Sequence, residues 1–331
     1  MNIKWSTTIT ALFFAVPGLL IGLDGCKENN QMNGKFEWLF KEAIRVDGDE
    51  YRKLRTDIIN LAPEEASGLQ KYRADSDWHA SLLAEILSGW REAAEHYQFI
   101  RRVAEGIDPS LEPKKYLAGK PTIEVAVEVL MKEEKIAPVL LEMIYKEWDI
   151  ISKYAFSVCN RVLVARQEPQ AAPVYRELLL NANVKPEFRS SCIRPLLDLQ
   201  APNLFDDLVK VYQNNSNHLE LRVAALASLG TTKDRRAVLF SEKIFSDNTI
   251  DTRFRSAAAT ALGESGDVNV ISKLVNGYQK AKDKQLRISI IFGLGALESR
   301  QTIQPFKKLL ESEQDPGLRE LINNKLLDLE E

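Results

Sequence analysis

The sequence predicts an all-α protein in which antiparallel helix pairs are stacked one on another. Two observations carry that expectation. Apolar residues recur at i, i+3, i+4 and i+7 through most of the chain, with few alternating β-branched runs. A nine-residue block also returns every 32 or 33 positions: "RSSCIRPLL" from Arg189, "RVAALASLG" from Arg222, "RSAAATALG" from Arg255 and "RISIIFGLG" from Arg287. The register runs on to Arg319, and back to "FSVCNRVLV" at Phe156 and "IEVAVEVLM" at Ile123.

One column tests the alignment. The eighth residue of each copy is Leu130, Leu163, Leu196, Leu229, Leu262, Leu294 and Leu326. Four places earlier, on the same helical face, stand Ala126, Cys159, Cys192, Ala225, Ala258, Ile290 and Ile322. Together the columns predict one buried stripe per unit, with small residues letting neighbouring helices approach. A second helix follows in each unit, marked by stripes such as Leu208 with Tyr212, Ile271, Leu274 and Tyr278, and Ile303, Phe306 and Leu310. Gly230, Gly263 and Gly295 are expected to end the first helices in a left-handed conformation. Asp251, Asp283 and Asp315 each precede a repeat arginine by four residues, and Asp315-Pro316 reads as an N-cap followed by proline at the first helical position.

These motifs resemble HEAT repeats, particularly the short variety first noted in phycobilin lyases. The match is closest over residues 222–312 and extends from 123 to 329. The resemblance implies an α-solenoid of stacked antiparallel helix pairs, a HEAT-like superhelix, over residues 122–331. It implies first helices on the convex side, second helices on the concave side, and hydrogen bonds between the Asp and Arg columns of adjacent units. A unit of this size cannot bury its apolar face alone, so stability is a sum of neighbour contacts and the end units need polar outer faces.

The chain has 331 residues, 45% of them hydrophobic and 27% charged, as expected of a protein that builds a core. Its net charge of −3 gives no reason to expect nucleic acid as a partner. Three cysteines cannot form a disulfide framework, and three histidines without His-x-x-x-His or Cys-x-x-Cys spacing leave no metal centre to build. Cys159 and Cys192 share a column and read as small core residues or, alternatively, as a redox pair.

Trp5 to Leu23 carries no charged residue and follows Lys4, the order of an export signal. It ends in Leu23-Asp24-Gly25-Cys26, which resembles a bacterial lipobox, with Asp24 standing where that pattern has a small neutral residue. The resemblance implies cleavage of residues 1–25 and a lipid on Cys26, leaving residues 26–34 as a polar tether. It places the protein in a bacterial cell envelope, on the outer membrane in a two-membrane organism. An uncleaved anchor and plain secretion are the alternatives. Residues 35–121 are helical but irregular, either diverged repeats forming a cap or a small separate domain. Within them, residues 106–121 are rich in Pro, Gly and Lys and read as a linker or a binding loop.

No Gly-x-Ser-x-Gly elbow or Walker loop is present, and His79, His96 and His218 lack partner patterns. The chain is therefore expected to be a scaffold without catalytic residues or cofactor, binding a protein or peptide along its concave face. A structural subunit of an envelope complex is the alternative, and a chromophore lyase, which the repeat resemblance suggests, is a third. The candidate binding column is Lys210, Lys243 and Lys308, interrupted by Asn276, with Lys273 positioned to fill the gap. Phe240 falls outside the apolar stripe of its helix and is expected to stand exposed beside Lys243. A basic row with an aromatic anchor points to an acidic segment as the partner.

Overall fold

A computed structural model of the chain describes residues 28–46, 48–61, 68–73, 136–146 and 153–330, with short stretches elsewhere between 80 and 151. The predicted leader, Cys26, His79, His96, Ile123 and Ala126 lie outside the described residues. The described chain is all-α, apart from a two-residue antiparallel pair, β1 (Tyr116–Leu117) with β2 (Lys120–Pro121), at the end of the 106–121 segment.

The described residues form two apolar cores. The first is built by α1 (Glu28–Arg45), α2 (Gly48–Ile59) and α3 (Leu69–Arg73), whose Phe36, Phe40, Tyr51, Ile58 and Tyr72 are buried together with Leu83 and Leu87. Helix α1 begins at Glu28 and so takes in most of the segment expected as a tether. Glu28, Gln31 and Met32 are good helix formers that extend the amphipathic run of 36–44 backwards. This core is tied to α4 (Ile136–Tyr145) by an ion pair from Arg55 to the buried Glu142, and by Lys146, whose ammonium donates to the Val46 carbonyl and lies over the Tyr51 ring.

The second core runs from Leu130 to Leu326 and holds the repeats. First helices are α5 (Lys153–Ala165), the broken pair α7 (Pro186–Ser191) and α8 (Ile193–Asp198), α10 (Leu219–Ala227), α12 (Thr252–Glu264), α14 (Lys284–Ala296) and α16 (Pro316–Glu330). Second helices are α6 (Ala171–Leu180), α9 (Leu204–Gln213), α11 (Arg235–Ser246), α13 (Ile271–Lys280) and α15 (Ile303–Ser312). All seven leucines of the diagnostic column are buried, as are Cys159, Cys192, Ala225, Ala258, Ile290 and Ile322 in the column four places earlier. The backbone repeats too. Left-handed residues recur at Gln167, Gln200, Lys233, Gly266 and Glu298, at the same 32–33 residue interval, just after each first helix.

That finding corrects the role of the glycines. Gly230, Gly263 and Gly295 are not in the left-handed region. Gly263 and Gly295 lie inside α12 and α14. A Cβ on Gly263 would collide with the backbone of Gly293, and one on Gly230 with the Ala261 carbonyl. Close approach, rather than chain reversal, fixes Gly230 and Gly263. Among the described residues, only at Gly266, with φ of 75°, does a glycine supply the left-handed turn.

The Asp and Arg columns also part company. Asp251, Asp283 and Asp315 cap the N-termini of α12, α14 and α16 by accepting backbone N–H groups. Arg189, Arg222, Arg255 and Arg319 donate to the last carbonyls of the preceding second helix, at Leu179, Tyr212, Phe245 and Leu310. These carbonyls have no intrahelical partner and carry the negative end of the helix dipole, so a guanidinium satisfies both needs at once. Apart from Arg287, each column serves a helix end, and the Asp–Arg ladder implied by the resemblance does not form among the described residues.

Candidate partner-binding surfaces

Lys210, Lys243 and Lys308 are exposed on α9, α11 and α15. Their surroundings differ. Lys210 stands 3.7 Å from Asp207 on its own helix. Lys273 is committed to Glu242 at 2.6 Å, bridging α13 to α11. Lys243 and Lys308 have no ion pair among the described residues.

Phe240 departs from expectation. It is half-buried between α11 and α9, edge-on to Phe205 at 6.3 Å and to Tyr212 at 5.8 Å between ring centroids. Tyr212 in turn meets Phe254 at 5.3 Å. Edge-to-face aromatic contacts of this kind add to simple burial, so Phe240 fastens one unit to the next. The exposed apolar residue on this helix is its neighbour Leu239, with 72% of its surface accessible. Leu239 is one turn from Lys243, at i and i+4. A sequence signal for it existed: the equivalent positions are Asp206, Ser272 and Gln304, so leucine is the exception in a polar column.

Beside Leu239, Arg236 forms paired hydrogen bonds with Asp206 of α9 and with Asp234 at its own helix N-terminus. Arg236 and those carboxylates satisfy one another. Of the lysine column, Lys243 and Lys308 are the members left without an ion pair among the described residues.

Chemistry elsewhere is sparse. Cys159 and Cys192 are fully buried free thiols. Burial pushes the Cys159 thiol up to about 12 and raises that of Cys192 as well, which makes both poor nucleophiles at neutral pH. Among the described residues no group of His, Cys, Asp and Glu could hold a metal ion, and no helix is long and apolar enough to cross a membrane. No known protein-family model matches the chain, and no curated protein matches it.

Proposed function

We propose that this chain is a lipid-anchored, exported scaffold that binds an acidic protein segment on its second-helix face. In this reading residues 1–25 are a cleaved leader and Cys26 carries the lipid. Residues 35–121 form a cap, and residues 122–331 are a HEAT-like α-solenoid. Two acyl signals hold a protein durably where one is marginal, which suits a scaffold that presents a surface at a membrane.

The observation that carries the binding reading is Leu239, exposed one turn from Lys243, which has no ion pair among the described residues. Exposed apolar side chains beside unpaired cations suit a partner with carboxylates around an apolar anchor. The buried aromatic contacts beneath it, from Phe240 to Phe205 and Tyr212, hold that patch rigid. The packing of the two helix rows bears on which way the stack would curve. First helices come close enough for backbones to touch at Gly263 and Gly293, whereas neighbouring second helices meet at few points and are linked by side chains. A stack bends toward its tighter row. The first-helix row is therefore read as the inner one and the lysine face as the outer, the reverse of the assignment implied by the repeat resemblance.

One set of purifications from envelope fractions tests the proposal. The parent is expected to retain a discrete acidic protein that is released by salt. Changing Lys210, Lys243 and Lys308 together to Glu should weaken that binding about tenfold or more, chiefly by slowing association, and Leu239→Ser should act on dissociation. Cys26→Ser should block lipid attachment and leave unprocessed precursor. Retention of the partner at parental affinity by both surface variants would contradict the assignment.

A further inference from the structure

The opposite face of the repeats carries a continuous trough. One hollow of about 630 Å³ lies between α5 and α7–α8 and is lined by Ser157, Asn160, Arg161, Ser191 and Arg194. A second hollow of about 310 Å³ continues from Arg194 and Leu197 to Ala224, Ala227 and Thr260. A third, of about 360 Å³, takes in Ala227, Thr260, Ser256, Gln285 and Ser289. Adjoining hollows share residues: Arg194 belongs to the first two, Ala227 and Thr260 to the last two. The trough therefore crosses the first helices of five successive units, α5 to α14.

Its chemistry changes along its length. Over α10 and α12 the walls are mostly Ala, Ser, Thr and Val, with the longer Arg253 and Glu264 at the two ends of α12. Ser256 lines this part with 9% of its surface accessible, and its hydroxyl has no hydrogen-bond partner among the described residues. At the α5 end, Arg161 is exposed and has no ion pair among the described residues, while Arg194 shares its charge with Asp198 at 2.8 Å. At the α14 end, Phe292 is 48% exposed and lies on the same helical face as Gln285 and Ser289.

We infer that this trough is a second binding site, and that it takes an extended peptide with small side chains at its centre, a carboxylate at the Arg161 end and an apolar residue at the Phe292 end. Neighbouring helices pack about 8–10 Å apart, so four steps span roughly 32–40 Å. An extended chain rises about 3.3 Å per residue, which makes the segment about ten to twelve residues long. A peptide backbone offers one N–H donor and one C=O acceptor per residue, and the polar side chains of Ser157, Asn160, Gln285 and Ser289 along the trough can answer both. Small side chains are required because a bulky one over Ala227 or Ala224 would lift the backbone off the floor of the trough. Free Arg161 favours a carboxylate over a neutral end.

A display library of random ten-residue peptides, panned against the full chain, tests the site. Enriched sequences are expected to place Gly, Ala or Ser centrally and an acidic residue or free carboxylate at one end. Ala227→Trp fills the middle of the trough from a partly exposed position and should weaken the enriched peptides at least ~10-fold while keeping the helical circular dichroism of the parent. Arg161→Glu, on an exposed position, should weaken them about two- to fivefold at low salt and less at high salt. The second-helix variants Leu239→Ser and Lys243→Glu should leave peptide affinity unchanged, so this test is independent of the acidic-partner proposal. Failure to enrich any sequence on the parent over Ala227→Trp overturns the inference. So does binding of the same peptides with equal affinity by parent, folded Ala227→Trp and Arg161→Glu.

Discussion

Gly263→Ala is expected to lower stability by about 2–3 kcal/mol or more, at the upper end of what overpacking costs. The added methyl would meet the Gly293 carbonyl oxygen and Cα, all backbone atoms of α14. Backbone cannot rotate away as a side chain can, so the two helices must separate. Separation would also loosen the buried contacts around Ala259, Leu262 and Leu294 that line the same interface. Larger residues at 263 should prevent the C-terminal units from docking at all. Gly266, three residues on, supplies the contrast. Its surroundings are open and its only demand is a left-handed φ, so Gly266→Ala should cost only about 1–2 kcal/mol. Gly266→Asn should cost less, because Asn tolerates that region and Lys233 already occupies the equivalent turn one unit earlier. Urea unfolding of the three variants checks the ranking.

Glu313→Ala is expected to be the most damaging charge removal in the repeats, at about 3–5 kcal/mol. Glu313 is 3% exposed, after α15. Its carboxylate accepts the Tyr278 hydroxyl, the Arg287 guanidinium and the backbone N–H groups of Gln314 and Asp315. Arg287 also lies over the Tyr278 ring at 4.3 Å. The other repeat arginines cap a preceding helix, but Arg287 turns forward to this carboxylate, so one residue joins α13, α14 and the start of α16. Removing it strands a guanidinium and a buried phenol together. Burial by itself would raise the Glu313 pKa, but the Tyr278 hydrogen bond, the backbone donors and the Arg287 charge outweigh it and hold the group below the ordinary carboxylate range. Because the folded value is the lower one, the stabilisation is complete above the unfolded value of roughly 4.3 and is lost as pH falls through the folded value. The gap in urea midpoint between parent and Glu313→Gln should therefore be widest near neutral pH and narrow below about pH 4. A gap that stays constant from pH 7 to pH 3 would mean that charge plays no part.

Much of this arrangement is legible in the sequence, and the reasons it is legible are local. The leucine column is buried throughout because one position per unit must face the neighbouring unit, and burial repeats with the unit. Asp251, Asp283 and Asp315 cap helices because a short carboxylate just before an apolar run has few other uses. What spacing did not disclose depends on the distance between elements. Phe240 and Leu239 are adjacent in the chain, and which of them is covered depends on how close α9 lies to α11. Gly230 and Gly263 sit near helix ends, where a turn and a tight crossing leave the same residue. The trough joins residues about 33 positions apart on successive helices, and its trace in the sequence is a set of small residues such as Ala224 with Ala257 and Ala227 with Thr260. Those columns flank the buried one and are easily taken for an extension of it.

The central claim is that the units stack in register to present continuous faces, and inter-unit distances test it most directly. Glu187, Arg253, Gln285 and Gly317 occupy equivalent exposed sites at the starts of first helices. With Cys26 changed to serine, spin labels can be placed at cysteines introduced in pairs, because Cys159 and Cys192 are buried and unreactive in the folded chain. At about 10 Å per unit, pulsed dipolar spectroscopy should give separations near ~20 Å for positions 187 and 253, ~30 Å for 187 and 285, and ~40 Å for 187 and 317, shortened somewhat by curvature. A 187–317 separation no longer than the 187–253 separation would contradict the stacked arrangement and, with it, both binding faces.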